Sequence, residues 1–328
     1  MGCSMTEPAR RAHLGSLGES LIDFTPRIDG GALLGFDLHP GGSPYNVAVG
    51  LARLGQHAHF GGRVSDDLFG HAILRHLRDN GVAEDLLLHG HEPATLAFVA
   101  YEGDEAVYSF RGEGSADRAI RPGDFALDRF LALHAVNFGS ISLLFPPACQ
   151  AILELVRALH GNVTLTFDPN VRKGLVTDWP AYRAVVDECF RLADIVKISD
   201  RDLETFADVD PAELAADHAT SGGPVVVIVT RGSSGSRLFR RGRDVLDCPS
   251  TPCTVVDTVG AGDAYTAGLV AALAERDALG RRSLATLDDA DWLRVMAFAA
   301  TTSALTCERA GSDPPTRNAV LARLPAGY

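Results

Sequence analysis

Asp257-Thr258-Val259-Gly260-Ala261-Gly262-Asp263-Ala264-Tyr265 decides how this chain is read, because it joins a strand end, a glycine turn, a helix start and a carboxylate within nine residues. Upstream, Thr254-Val255-Val256 is β-branched and predicts a buried strand; downstream, Ala264 to Ala274 is rich in Ala and Leu and predicts a helix. The glycines then lie on a helix N-terminus. There the N–H groups of Gly260, Ala261 and Gly262 and the positive end of the macrodipole suit an anion, and the small side chains let it approach the backbone. A carboxylate beside a bound phosphate needs a task, and for Asp263 that task is accepting a proton from an attacking hydroxyl. The stretch points to phosphoryl transfer. The competing reading is an ordinary Gly-x-Gly turn with an Asp that complements the helix dipole.

Other nucleotide folds fit less well. Gly260-x-Gly262 lacks the next glycine of a dinucleotide fingerprint and falls late in the chain. No Gly-x-x-x-x-Gly-Lys-Ser/Thr string occurs, and Lys173 and Lys197 are the only lysines, so charge neutralisation falls to metal, arginine and backbone. With 30 basic and 42 acidic residues the net charge is −12, which argues against a nucleic-acid partner. The six cysteines are scattered without CxxC spacing and predict reduced thiols. Glu7, Arg10 and Arg11 precede any apolar run, and no stretch of about 18 uncharged apolar residues occurs, so neither a signal peptide nor a membrane span is expected. A cytoplasmic protein without a membrane partner is the expectation.

Along the chain, Leu14 to Phe24 predicts a first strand and His57 to Val64 another. Between them Ser43-Pro44, with Leu51, Leu54 and Gly55, gives an N-cap, a proline at the first helical position, an apolar face and a glycine stop. Asp67 to Asn80 predicts a helix ended by Gly81. From His134 the order becomes regular: strand 134–138, helix 147–160, strand 163–168, helix 180–192, strand 194–198, short helices to Thr220, strand 224–230. This alternation predicts a doubly wound α/β fold, a mainly parallel sheet flanked by helices. Thr25 to Pro40 lacks a helical period, and Thr95 to Phe110 alternates like a hairpin around Glu102-Gly103-Asp104-Glu105. Together they predict a small antiparallel sheet, a lid that excludes water from a phosphoryl-transfer site. His57/His59 and His89/His91 are two apart with no third ligand in obvious reach, so surface or strand-end positions are expected for them rather than a metal site.

Two long signatures carry a family resemblance: Gly41-Gly42-Ser43-Pro44-Tyr45-Asn46-Val47-Ala48 followed by Leu51-Ala52-Arg53-Leu54-Gly55, and the run from Asp257 to Gly268. The chain resembles the ribokinase-like (phosphofructokinase-B type) carbohydrate kinases nearly end to end. Gly18-Glu19-Ser20-Leu21-Ile22-Asp23-Phe24, Phe167-Asp168-Pro169-Asn170-Val171-Arg172, and Phe110-Arg111 with Ser115-Ala116-Asp117 look most like the fructokinases of that family. The resemblance implies one kinase domain over residues 1–328, with the lid formed by segments 25–40 and 93–117.

It also implies roles. Asp263 matches the catalytic base and Gly260, Ala261 and Gly262 the anion hole, in agreement with the reading above. Asp23, Gly42 and Asn46 match sugar-binding positions, Phe110 and Arg111 the lid residues over the substrate, and Arg172 a substrate or phosphate contact. Asn170, Lys197, Ser199, Thr230, Arg231, Gly232 and Gly235 match the ATP side. Ser199 and Asp202 stand where relatives have Asn and Glu, and Asp202 is the position implied to organise Mg²⁺ through water. Asp257, Val259, Arg309 and Gly311 fall where relatives coordinate a monovalent cation, K⁺. Relatives often place an asparagine beside adenine, where this chain has Ala300. The expected partners are a sugar, ATP and a second copy of the chain paired through the lid. The expected reaction converts D-fructose to fructose 6-phosphate, against two alternatives: a 2-keto-3-deoxygluconate kinase, and a catalytically silent sugar-binding protein.

Overall fold

The computed structural model describes residues 11–30, 32–102, 105–216 and 223–324. Glu7 and Arg10, the Gly103-Asp104 tip and the end of the short helices at Thr220 lie outside the described residues. No helix among those described is long and apolar enough to cross a membrane.

Six parallel strands make the main sheet: β1 (His13–Leu17), β4 (His57–Gly61), β9 (Ala135–Gly139), β10 (Thr164–Asp168), β11 (Ile195–Ser199) and β12 (Val226–Thr230). β13 (Ser236–Arg240) and β14 (Leu246–Cys248) close one edge antiparallel. The order is β14-β13-β12-β11-β10-β9-β1-β4. Val226-Val227-Ile228-Val229 is buried throughout, as a strand covered on both faces must be. Helices Ser43–Arg53, Ala261–Glu275 and Asp289–Cys307 share one core on one side, and Ala148–Leu159 and Trp179–Leu192 pack on the other. The Ala261–Glu275 helix is buried from Asp263 to Ala274, and its small residues let neighbours come close. A Cβ on Gly50 would meet Ala267 Cβ at 2.7 Å, and one on Gly268 would meet Thr302 Oγ1 at 2.8 Å.

A second sheet holds β2 (Leu21–Asp29), β3 (Ala32–Gly41), β7 (Thr95–Glu102) and β8 (Glu105–Arg111), in the order β3-β2-β7-β8. It is mixed rather than antiparallel: β2 pairs antiparallel with β3 and β7 with β8, but β2 and β7 run parallel. Residues 42–94 supply the long crossover that such a parallel pair needs. Within it β5 (Arg63–Ser65) pairs with β6 (Leu88–Gly90), so the strand expected over 57–64 is split between β4 and β5.

Three further expectations are corrected. The strand expected from Leu14 to Phe24 breaks at Gly18-Glu19-Ser20, where the chain leaves the main sheet for the small one. Gly18 has φ 149°, and a Cβ there would meet Ser142 Oγ at 2.4 Å, so a residue with a side chain cannot make this passage unchanged. Thr254-Val255-Val256 forms no strand, and Val255 and Val256 are 61% and 62% exposed. The Val256 amide donates to the Cys307 carbonyl at 2.8 Å, so the segment pairs with the end of the Asp289–Cys307 helix rather than with a strand. The N-cap of the first helix is Gly42, not Ser43, and no side chain caps it.

Candidate active site

In a parallel sheet the loops after the strands gather at the carboxyl edge, and a cleft opens where the chain order reverses. Here that point is β1 between β4 and β9. A cleft of about 220 Å³ opens beside it, lined by Glu19 after β1, Ser140 after β9, Asn170 and Arg172 after β10, Lys197 of β11, and Gly260, Gly262 and Asp263 at the second helix start. Asp23 and Phe110 reach it from the small sheet, and Gly42, Ser43 and Asn46 from the first helix start. A cavity of about 290 Å³ at the opposite end of the strands contains none of these residues.

Asp263 sits in the first turn of its helix and is buried. Ser43 Oγ donates to its Oδ1 at 2.6 Å and Asn46 Nδ2 to its Oδ2 at 2.8 Å. Burial pushes its acidity down, raising the pKa; the two donors oppose this, Asp168 adds to it, and Lys197 works against it. Gly260 caps the helix in the left-handed conformation, φ 75° and ψ 0°, and a Cβ there would strike Ser312 Oγ at 2.1 Å. The Ala261 amide donates to the Thr258 carbonyl at 3.2 Å, so it is shared with the turn.

Across the cleft, Asp23 is pushed up to about 7, first by burial and then by Asp263, with Arg172 opposing. Phe110 packs on Leu21, Ala97 and Ile141 and faces the cleft. Arg111 does not: it is exposed and bonds Ser109 Oγ and the Phe110 carbonyl. Strand alternation forces this opposition, and the structure selects the phenylalanine for the cleft. The guanidinium that lines the cleft is that of Arg172, whose Nη1 donates to Asn170 Oδ1 at 2.6 Å. Asn170 holds φ 41°, a left-handed conformation that Asn tolerates better than most residues.

Lys197 is buried beside the glycine turn, with Nζ 2.8 Å from Asp168 Oδ2. Burial alone would discharge it, but Asp168, backed by Asp263 and Asp202, outweighs burial and holds its pKa up. Asp168 Oδ1 is buried without a partner among the described residues. Ser199 caps the next helix by accepting from the Asp202 amide at 3.0 Å, and Asp202 accepts from the Val171 amide at 3.3 Å, which ties the two loops together. No group of three His, Cys, Asp or Glu among the described residues is arranged to hold a metal; at the far end of the sheet His13 and Asp85 join His59 in a hydrogen-bonded row.

Farther out, Thr230 ends β12 and the hairpin to β13 closes through the Arg231 amide on the Gly235 carbonyl at 2.8 Å. Gly235 has φ 84° and faces the Cys248 carbonyl, while Gly232 is open. Ala300 is nearly covered within the core of the Asp289–Cys307 helix. Asp257 gathers the remaining predicted loop: Oδ1 accepts from the Val259 amide at 3.0 Å and Oδ2 from the Gly311 amide at 2.8 Å, while Arg309 turns to Asp313.

Sequence reasoning left Glu19, Ser43 and Asp168 without a role at this site. Glu19 is 2% exposed, accepts from the Ser43 and Ser142 amides at 3.2 Å and from the Ser142 hydroxyl, and is raised to about 6 by burial. An acid between a glycine and an apolar run is the signal that would have found it.

Comparison with known proteins adds an independent line. The pattern described as pfkB family carbohydrate kinase matches residues 12–319. The chain is 35% identical over 272 residues to a fructokinase of Rhizobium leguminosarum bv. trifolii, covering 83% of each. It is 32% identical over 322 residues to probable fructokinase-4 of Arabidopsis thaliana, covering 93% of this chain and 94% of that one. The crystal structure of a fructokinase with bound ATP from Xylella fastidiosa superposes with a TM-score of 0.86 at 26% identity, over 95% of this chain and 97% of that one.

Proposed function

The chain belongs to the pfkB family of carbohydrate kinases, and from that premise we propose that it transfers the γ-phosphoryl group of ATP to the primary hydroxyl of D-fructose, giving fructose 6-phosphate. The observation that carries the chemistry is a buried carboxylate, Asp263, in the first turn of a helix whose start lines the cleft with Gly260 and Gly262. Asp263 takes the proton from the attacking hydroxyl. The Gly260–Gly262 amides and the Lys197 ammonium stabilise charge spreading over the phosphoryl oxygens. Asp23 and Arg172 hold the sugar hydroxyls, Asn46 and Gly42 the other side of the ring, and Phe110 covers it. The Thr230–Gly235 turn and Ala300 serve the nucleotide.

The orphaned Asp168 Oδ1 and the nearby Asp202 suit an incoming Mg²⁺, which enters on nucleotide phosphates and needs only one or two carboxylates, often through water. When bound, that ion neutralises phosphate charge. The Asp257 loop, drawn onto Gly311, is the proposed seat for K⁺. Ile28, Leu34, Phe36 and Leu38 expose apolar surface on the small sheet, which supports a homodimer through the lid. The free Cys149, Cys189, Cys248, Cys253 and Cys307 fit a reducing cytoplasm.

An ATP-consumption assay across ketoses, aldoses and sugar acids tests the substrate. Fructose gives the highest kcat/KM; a preference for 2-keto-3-deoxygluconate overturns the reading. Because Arg111 points away from the cleft, Arg111→Ala costs fructose less than about 1 kcal/mol in kcat/KM, roughly fivefold. A larger loss, measured by the same assay, shows that the guanidinium swings onto the sugar. At the nucleotide end, a small apolar wall at Ala300 discriminates bases weakly, so GTP supports kcat/KM within roughly 10–200-fold of ATP. Steady-state rates with both nucleotides check this, and a ratio above about 10⁴ shows that another group reads the base.

A further inference from the structure

The Ser43–Arg53 helix starts at Gly42 without a side-chain cap, which frees the Ser43 hydroxyl from the role its sequence position suggests. It crosses to the other helix start and donates to Asp263 Oδ1 at 2.6 Å. Asn46, one turn on, donates to Oδ2 at 2.8 Å. We propose that Ser43 is a positioning residue for phosphoryl transfer, acting through Asp263 by fixing the carboxylate between its own hydroxyl and the Asn46 amide. The inference rests on the proposed role of Asp263 as base.

A carboxylate held by one donor can rotate about its Cβ–Cγ bond; held by two, on opposite oxygens, it keeps one plane. The acceptor lone pair left for the sugar hydroxyl then has a fixed direction, and orientation of reacting groups is a large share of catalytic rate. The same hydroxyl favours the ionised form, the only one able to take a proton. Its surroundings make that contribution count. Burial, Asp168 at the end of β10 and Asp23 on β2 oppose charge on Asp263, and Lys197 on β11 is already engaged by Asp168. Donation from Ser43 and Asn46 offsets them ahead of the more distant Lys197.

A double-mutant cycle with Ser43→Ala and Asp263→Asn, read as kcat and KM over pH 5 to 9, tests this. Ser43→Ala lowers kcat about 10–100-fold with sugar KM nearly unchanged, and moves the acid limb of kcat upward by about one pH unit, since loss of a donor leaves the carboxyl easier to protonate. Adding Ser43→Ala to Asp263→Asn costs nothing further, and Ser43→Thr, which keeps the hydroxyl, retains most of the wild-type kcat. The proposal is overturned if the two losses multiply, if the limb does not move, or if the effect lies in KM alone, which would make Ser43 a sugar contact. Near wild-type turnover in Asp263→Asn overturns the base assignment together with this proposal, whereas multiplying losses overturn this proposal alone.

Discussion

Asp263→Asn lowers kcat by on the order of 10²–10⁴-fold and leaves sugar KM within a few-fold. The substitution keeps the size of the side chain and its place at the helix start, so the cleft retains its shape. What changes is the ability to take a proton, because an amide oxygen is a far weaker base than a carboxylate. The effect falls on kcat because that basicity matters when the hydroxyl attacks and little when the sugar merely binds. Steady-state kinetics with coupled ADP detection measures both constants. Turnover near the wild-type value would remove Asp263 from the mechanism and leave the glycine turn as an anion site only.

Gly262→Val abolishes turnover, a loss of at least about 10³-fold. Its backbone is ordinary, unlike that of Gly260, so the reason lies in space. A Cβ at Gly262 would stand 3.0 Å from Lys197 Nζ, and the two methyl groups of valine reach beyond it into the cleft. The ammonium must then move away from Asp168, or the phosphoryl group must. Displacing Lys197 leaves a buried carboxylate without its cation, at a cost of about 3–5 kcal/mol, so thermal unfolding must accompany the assay. Gly262→Ala is the graded control: the single Cβ can be met by a small shift of the lysine, and part of the activity survives. A folded, active valine variant would place the phosphates elsewhere.

The residues that were legible in the sequence are those whose chemistry is local. The Asp257–Tyr265 run carries its turn, its helix start and its carboxylate within one window, and the continuous apolar run of β12, Val226 to Val229, announces a strand covered on both faces. What was not legible depends on partners far along the chain. Leu14 to Phe24 reads as one strand by its apolar residues, but it divides at Gly18, which packs against Ser142 and Pro44. Val255 and Val256 have strand propensity, but propensity carries no information about whether an edge is free. Ser43 looks like a cap because its neighbours are Gly42 and Pro44; its true partner lies 220 residues away. Alternation told that Phe110 and Arg111 oppose each other, but the face that meets the cleft is set by how the small sheet sits on the main one.

The passage of the chain at Gly18-Glu19-Ser20, from β1 into β2, divides labour between two bodies of structure. Asp23 and Phe110 ride on the small sheet, while Asp263, Lys197 and the glycine turn belong to the main sheet and its helices. On the proposed reading, acceptor recognition is shared between the two, since Arg172 follows β10 and Asn46 lies on the Ser43–Arg53 helix, whereas transfer rests on the main body alone. Substitutions in β2 or β8 are then expected to alter the fit of the acceptor without disturbing the helix start proposed to carry the transfer. A lineage built on this plan can diversify its diet of sugars while its catalytic engine stays still.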